Sequence, residues 1–131
     1  MKTESEIREL SEDFLSAWNS QDVERVVACY TDDVVYWDPN TRGVVKGADA
    51  MRRYLRKLFA AWEMHWTFRE AYPFADKDGA AVLWHASFRK PGHEKTVEAD
   101  GMDLVLLQRG LIQRNEVYFD RLALAPLMQE P

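Results

Sequence analysis

The sequence contains a single cysteine and no long hydrophobic run, and both absences exclude classes of protein. Cys29 alone cannot form an internal disulfide, and it is too little for a cysteine-based zinc site. No stretch approaches the roughly 18 to 20 uncharged apolar residues that span a bilayer. The first residues, 1–9, carry too many charges for a signal peptide. We therefore expect a cytoplasmic protein that has no membrane partner.

Basic residues are also in the minority, which limits the partners of the protein. The chain has 17 Lys and Arg against 22 Asp and Glu, a formal net charge of −5. Such a surface repels the phosphate backbone of nucleic acids, so nucleic acid is not an expected partner. His65, His85 and His93 lack the spacing of metal ligands, and we expect no metal site. The chain also lacks a Gly-rich phosphate loop and a nucleophile elbow.

What the chain does contain is enough apolar material for one folded domain. Apolar residues make up 47% of the 131 residues and charged residues 30%, so a core can form beneath a solvated surface. The length is about that of one domain and too short for two ordinary ones. We therefore treat residues 1–131 as a single domain. Its 12% of aromatic residues predict an aromatic-rich interior.

Hydrophobic periodicity predicts mainly helices in the first half of the chain and strands in the second. Thr3 and Glu6 fit a capping box at the start of the first helix, and Gly47 opens the third. The predicted helices cover 4–20, a segment after Asp22, a segment after Gly47, and 122–128. The predicted strands cover 34–38, 41–46, 64–75, 80–90, 94–107 and 111–121, and residues 31–33 are expected to form a turn.

The turns between the last four strands are short, which predicts an antiparallel meander. Pro73 and Gly101 interrupt two of these strands and are expected to mark bulges. The predicted fold class is α+β, with three N-terminal helices packed on a curved, mostly antiparallel β-sheet.

Alternation along the strands sorts side chains onto two faces and singles out Asp103. Within 94–107, Asp103 is the only charged residue on a face of small and apolar residues, whereas Glu98 and Asp100 fall on the opposite face. No Lys or Arg occurs nearby on the first face, so a buried Asp103 is expected to stay protonated and to donate a hydrogen bond. The alternative is a structural acid that is bonded to backbone amides.

A second acid, Asp38, follows Tyr36 and Trp37 and precedes Pro39. The aromatic neighbours predict partial burial, which makes a carboxylate a better general base. The competing interpretation is a turn-capping residue, because Asp-Pro is a common opening of a turn. The residues by themselves leave both interpretations open.

The outer face of the predicted sheet is apolar, and a contiguous apolar face usually meets a partner. We expect a homodimer that forms sheet to sheet through this face. Its apolar members are Leu83, Met102, Leu104, Leu106, Ile112 and Tyr118.

The segment "FLSAWNSQDVERVVACYTDDVVYWDP" (residues 14–39), followed by a Gly-led helix and four strands, resembles the nuclear-transport-factor-two-like superfamily. Within it, the chain is most similar to the ketosteroid isomerases and the SnoaL-like polyketide cyclases. The resemblance covers nearly the whole chain. It implies a cone-shaped, cystatin-like α+β barrel with a pocket between the helices and the inner sheet face, and it implies no cofactor.

The resemblance also implies roles for the two acids. Asp38 matches the general base of the isomerases, the family in which this pair of roles is best known. Asp103, in "GMDLVLL", matches their protonated oxyanion-hole acid. An oxyanion-hole tyrosine of that family is replaced here by Phe14, and a supporting tyrosine is replaced by Leu55, while Tyr30 keeps another tyrosine position.

Other members of the superfamily fit less well. The limonene epoxide hydrolases have an Arg and an Asp where this chain has Gly101 and Val117, which disfavours a hydrolase. The SnoaL-like cyclases use an acid on the last strand, but parity places Asp120 on the wrong face to replace it.

Two hypotheses of different classes follow. The first is an isomerase or cyclase that moves a proton α to a carbonyl of a small apolar, cyclic substrate, with Asn115 or Tyr30 as a second oxyanion donor. The alternative is a non-catalytic domain that binds a small apolar ligand. Under either hypothesis, the residues expected to contact the ligand are Phe14, Trp18, Tyr30, Leu55, Trp62, Trp84, Phe88, Asn115, Val117 and Phe119.

Overall fold

A computed structural model describes residues 2–128, in which helices cover the inner face of a six-stranded sheet. The helices are α1 (Glu4–Ser20), α2 (Val23–Val27), α3 (Ala48–Ala61) and α4 (Ala125–Met128), with a 3-10 helix at Arg121–Leu124. The strands are β1 (Tyr30–Trp37), β2 (Val45–Lys46), β3 (Glu63–Pro73), β4 (Gly79–Arg89), β5 (Thr96–Gln108) and β6 (Leu111–Tyr118). Within 2–128 we find no helix long and apolar enough to cross a bilayer.

Helix α1 begins at the capping box that the sequence predicts. The Thr3 hydroxyl accepts the Glu6 backbone N–H at 3.1 Å, and the Glu6 carboxylate accepts the Thr3 N–H at 3.0 Å. The buried side of the helix includes Ile7, Phe14 and Trp18, which recur at helical spacing. This side packs mainly against β3 and brings two aromatic rings into the interior.

The sheet has the strand order β2-β1-β6-β5-β4-β3 and is open. The antiparallel meander of β3 to β6 is confirmed, and so is the α+β fold class. The predicted turn at 31–33 is wrong, because these residues extend β1, which begins at Tyr30 opposite Ile112. Strand β1 runs parallel to β6, with Tyr36 paired to Asn115. This pairing brings the end of β1 next to the centre of the sheet.

The expected bulges are wrong at both positions. Pro73 pairs with Ala80, and Gly101 pairs with Trp84, each in regular register. A Cβ atom at position 101 would lie 2.5 Å from Cη2 of Trp84. The glycine therefore makes room for the indole ring rather than bending the strand.

One register shift lies in β3 between Phe68 and Glu70, and another lies in β6, where Arg114 pairs with Leu106 but Ile112 pairs with Leu107. The extra residue, Gln113, changes the face that the start of β6 occupies. Ile112 is consequently buried in the core, with 2% exposure, and does not belong to the outer face. Its assignment to the outer face from parity was wrong for this reason.

The rest of the outer face keeps its apolar character. Leu83, Met102, Leu104 and Leu106 are half-buried by their neighbours in the sheet, and Tyr118 is 44% exposed. The Tyr118 ring packs on Trp37 at a centroid distance of 5.3 Å, which extends the apolar surface onto β1.

We propose that a second copy of the chain covers this outer face, since an apolar sheet face of this extent is usually shielded. Leu104→Glu places a charge in the middle of the face and should give a monomer by light scattering. Thr96→Glu adds the same charge to an exposed position near the start of β5 and should leave the dimer intact. A wild-type protein that is monomeric at micromolar concentration would contradict the proposal.

Candidate active site

A narrow cavity opens between α1 and the inner face of the sheet. Side chains from two helices and five strands, with the segments that follow β1 and β6, form its wall. The lining residues are Phe14, Leu15, Trp18, Tyr36, Asp38, Asn40, Leu58, Met64, Trp66, Phe88, Asp103, Val117 and Phe119. Most of this wall is apolar, and both acids singled out from the sequence reach it.

The structure thus brings together seven of the residues named from the sequence. These are Asp38, Asp103, Phe14, Trp18, Phe88, Val117 and Phe119. Five others are buried behind the wall and do not line the cavity in the described part of the chain. They are Tyr30, Leu55, Trp62, Trp84 and Asn115.

Asp38 comes directly after β1, and hydrogen bonds hold both of its carboxylate oxygens. Oδ1 accepts the backbone N–H groups of Asn40 at 2.7 Å and Thr41 at 3.1 Å. Oδ2 accepts the hydroxyls of Tyr36 at 2.6 Å and Tyr54 at 2.5 Å. A carboxylate offers about four acceptor sites, so its capacity is filled. One oxygen caps the turn, and the other oxygen is tied to two phenols.

The two tyrosines reach Asp38 by different routes. Tyr36 precedes it by two residues on β1, so alternation puts both side chains on the same face. Tyr54 comes from α3, and its ring centroid lies 5.7 Å from that of Tyr36. Burial, followed by the charge of Asp38, raises the pKa of both phenols. Both hydroxyls therefore remain protonated donors at neutral pH.

Asp103 lies on β5 with 4% exposure, on the inner face that alternation predicts. Its Oδ1 accepts the indole N–H of Trp84 at 3.1 Å. Burial raises its pKa to about 7, against the opposing effects of Trp84 and of the Asn115 amide, while the charge of Asp38 adds to the rise. The carboxyl is therefore about half protonated at pH 7. Asp38 and Asp103 thus stand in contrasting environments on one cavity.

A chain of hydrogen bonds behind the cavity occupies the polar groups of Tyr30 and Asn115. The Trp18 indole donates to the Tyr30 hydroxyl at 3.2 Å, and that hydroxyl donates to Asn115 Oδ1 at 2.8 Å. Asn115 Nδ2 in turn donates to the Leu104 carbonyl at 3.3 Å. The Tyr30 hydroxyl is therefore engaged away from the cavity, whereas the Asn115 amide also acts on the Asp103 carboxyl.

Sequence reasoning missed several residues of the site, and three of them bear on its chemistry or its aromatic wall. Tyr36 could have been found, because it shares a strand face with Asp38 at a spacing of two. By its spacing, Tyr54 belongs to the apolar stripe of α3, and this spacing does not indicate a hydrogen bond to Asp38. Trp66 lines the cavity from β3, and its spacing does not distinguish it from the other aromatic residues.

Other candidate groups lie away from the cavity. Asp120 accepts the Leu122 N–H and caps the 3-10 helix. Cys29 is half-buried, and burial raises the pKa of its thiol. Across residues 2–128, no three His, Cys, Asp or Glu side chains are placed to hold a metal ion.

One protein-family model, described as SnoaL-like domain, matches residues 11–115, which is most of the chain. The chain belongs to the SnoaL-like family. No curated protein sequence matches this SnoaL-like domain.

Solved structures share its architecture at low sequence identity. A candidate isomerase from Bacillus subtilis has 14% identity and a TM-score of 0.85, over 97% of this chain and 96% of that one. SalBIII, an epoxide hydrolase/cyclase-like enzyme in pyran ring formation in the polyether salinomycin, has 21% identity and a TM-score of 0.80, over 94% and 97%. A ketosteroid isomerase-like protein from Erwinia carotovora atroseptica has 22% identity and a TM-score of 0.70, over 88% and 95%. At these identities the likeness establishes the cone-shaped fold, and the reaction has to be inferred from the site.

The pKa of Asp103 generates a prediction on stability. The native pKa of about 7 exceeds the ordinary aspartate value, 3.8, so folding favours the protonated form. The contribution of Asp103 to the free energy of unfolding should therefore fall as the pH rises from about 4 to about 7, in total by a few kcal/mol. Asp103→Asn removes the titration, so its stability relative to wild type should rise over the same window. Chemical denaturation across pH measures this difference, and a constant difference would contradict it.

Proposed function

We propose that this SnoaL-like domain is a cofactor-independent enzyme that moves a proton α to a carbonyl of a small apolar, cyclic substrate. Isomerisation of an enone and aldol-type cyclisation both fit this description. The observation that carries the proposal is the pair Asp38 and Asp103 on one aromatic-walled cavity: four hydrogen-bond donors hold the Asp38 carboxylate, whereas burial raises the pKa of Asp103. Two carboxyls in contrasting environments can serve as a base and an acid in one site.

In the proposed isomerisation, Asp38 takes the proton from carbon and returns it to another carbon. In the proposed aldol-type cyclisation, Asp38 takes the same proton, the enolate carbon bonds to a second carbonyl carbon, and the proton goes to the alkoxide oxygen that forms. Its acceptor sites are all occupied in the free protein, so one donor must leave before Oδ2 can act as a base. Tyr36 is the donor that lines the cavity. Rotation of its hydroxyl toward the substrate oxygen frees Oδ2 and stabilises the enolate in the same movement. Tyr36 thereby donates the hydrogen bond that Phe14, which has no hydroxyl, cannot supply.

Asp103 supplies the second donor in this scheme. Its protonated form can donate to the developing enolate oxygen, and a pKa near 7 keeps a large fraction of that form available at neutral pH. The Trp84 indole holds its Oδ1 and fixes the direction of the carboxyl. Apolar walls around the site limit competing hydrogen bonds from water, which strengthens each of these interactions.

The second candidate function is the binding of a small apolar ligand without catalysis. It is favoured by the filled hydrogen-bonding capacity of Asp38 and by Phe14, which cannot donate a hydrogen bond. Under this hypothesis, Asp38 organises the turn after β1 and the two tyrosines, and Asp103 orients the ligand. The two hypotheses differ in whether a bound carbonyl compound exchanges its α-protons.

Exchange of α-protons for deuterium in simple cyclic ketones, followed by NMR, separates the hypotheses. The wild type should accelerate exchange, and Asp38→Asn should lower the rate by at least about a hundredfold because the base is lost. Asp100→Asn changes the same charge on the exposed outer face of β5 and should leave the rate unchanged. Ketone binding without any acceleration would leave the binding function as the better account.

The two tyrosines provide a matched pair for the role of Tyr36. Tyr36→Phe and Tyr54→Phe each remove one donor from Oδ2 of Asp38, but only Tyr36 lines the cavity in the described residues. Tyr36→Phe should therefore lower kcat by about a hundredfold, the usual cost of a lost oxyanion donor, while Tyr54→Phe retains most of the activity. Equal losses would show that both hydroxyls only position Asp38. Unfolding midpoints measured in parallel control for lost packing.

A further inference from the structure

The charges that face the cavity all have one sign. Asp38 and Asp103 are its acidic residues, and within residues 2–128 no Lys, Arg or His contributes to the lining. The four donors to Asp38 are two backbone amides and two phenols, which are all neutral. They stabilise the carboxylate without cancelling its charge. A buried negative charge without a cationic partner is costly, and a cation placed beside it removes part of that cost.

The remainder of the wall is suited to a cation as well. Six aromatic side chains line it, namely Phe14, Trp18, Tyr36, Trp66, Phe88 and Phe119. Trp18 and Trp66 meet edge to face at 5.5 Å, and Phe88 stacks on Phe119 at 5.5 Å, so the rings form a continuous surface. The face of an aromatic ring carries partial negative charge and attracts cations, most strongly where water is excluded.

We propose that this cavity binds a small organic cation, an alkylated ammonium group of about the size of choline. Alkyl substituents match the aromatic wall, and the positive charge matches the two carboxyls. Asp38 has no free acceptor site for the N–H donors of a primary ammonium, and Asp103 is the other carboxyl of the cavity that could accept them, which favours an alkylated form with few N–H groups. The inference goes beyond the proposed reaction, because cation binding requires no proton transfer.

Titration calorimetry with choline and its neutral isostere 3,3-dimethyl-1-butanol tests the proposal on the wild-type protein. The two probes have the same shape and differ in charge. At pH 8.5 choline should bind on the order of tenfold more tightly than the alcohol. Its advantage should shrink below pH 6, as Asp103 becomes protonated, while affinity for the alcohol changes little. The other titratable groups that face Asp103 are Asp38 and Tyr30, and Tyr30 stays neutral over this range because its pKa is raised well above its ordinary value.

Two matched variants in β5 test whether Asp103 causes the pH dependence of choline binding. Asp103→Asn should remove the pH dependence of choline binding, whereas Asp100→Asn, on the outer face of the same strand, should preserve it. Equal affinity for the two probes at pH 8.5, or tighter binding of the alcohol, would overturn the proposal even if Asp103→Asn does not fold. Choline has no acidic C–H next to a carbonyl, so its binding is independent of the exchange assay. Failure of one test therefore leaves the other proposal standing.

Discussion

The buried carboxylate of Asp38 is the constraint on which the site depends. A buried charge without a cationic partner persists only when hydrogen bonds replace the water that it has lost. Asp38 recruits them from three parts of the chain: the turn at 40–41, the end of β1 and helix α3. The same four bonds therefore fix the loop after β1, the orientation of Tyr36 and the approach of α3 to the sheet. The Asp38 carboxylate that organises this part of the fold is therefore also the base of the proposed reaction.

The orientation of the Asp103 carboxyl depends in turn on Gly101 and Trp84. Gly101 has no side chain, and the indole of Trp84 occupies the space that a Cβ would need. From that position the indole N–H donates to Asp103, two residues further along β5. Trp84 lies behind the cavity wall, and its hydrogen bond orients the Asp103 carboxyl, which lines the cavity. The glycine that looked like a bulge is in this way a determinant of the site.

The sequence predicted what depends on local periodicity. The antiparallel meander, the capping box at Thr3 and the burial of Asp103 all follow from alternation or from helical spacing. The parallel pairing of β1 with β6 did not follow, because the two strands are separated by most of the chain. The bond from Tyr54 to Asp38 could not be read either, since it depends on how α3 docks. Ile112 was misplaced because a bulge at Gln113 shifts its face relative to the rest of β6, and strict alternation along the strand assumes that no such bulge occurs.

The absence of a hydroxyl at Phe14 has a counterpart elsewhere in the cavity. The ring at position 14 packs edge-on against Trp18 and Tyr30, whose own hydrogen bonds are satisfied behind the wall. A hydroxyl on α1 is therefore absent, while two hydroxyls converge on Asp38 from β1 and α3. The polar groups of the cavity are thus concentrated around the two carboxyls, and most of the remaining lining is apolar. A ligand in this cavity should place its polar or charged end toward the carboxyls and its apolar body against the aromatic side chains, whichever chemistry follows.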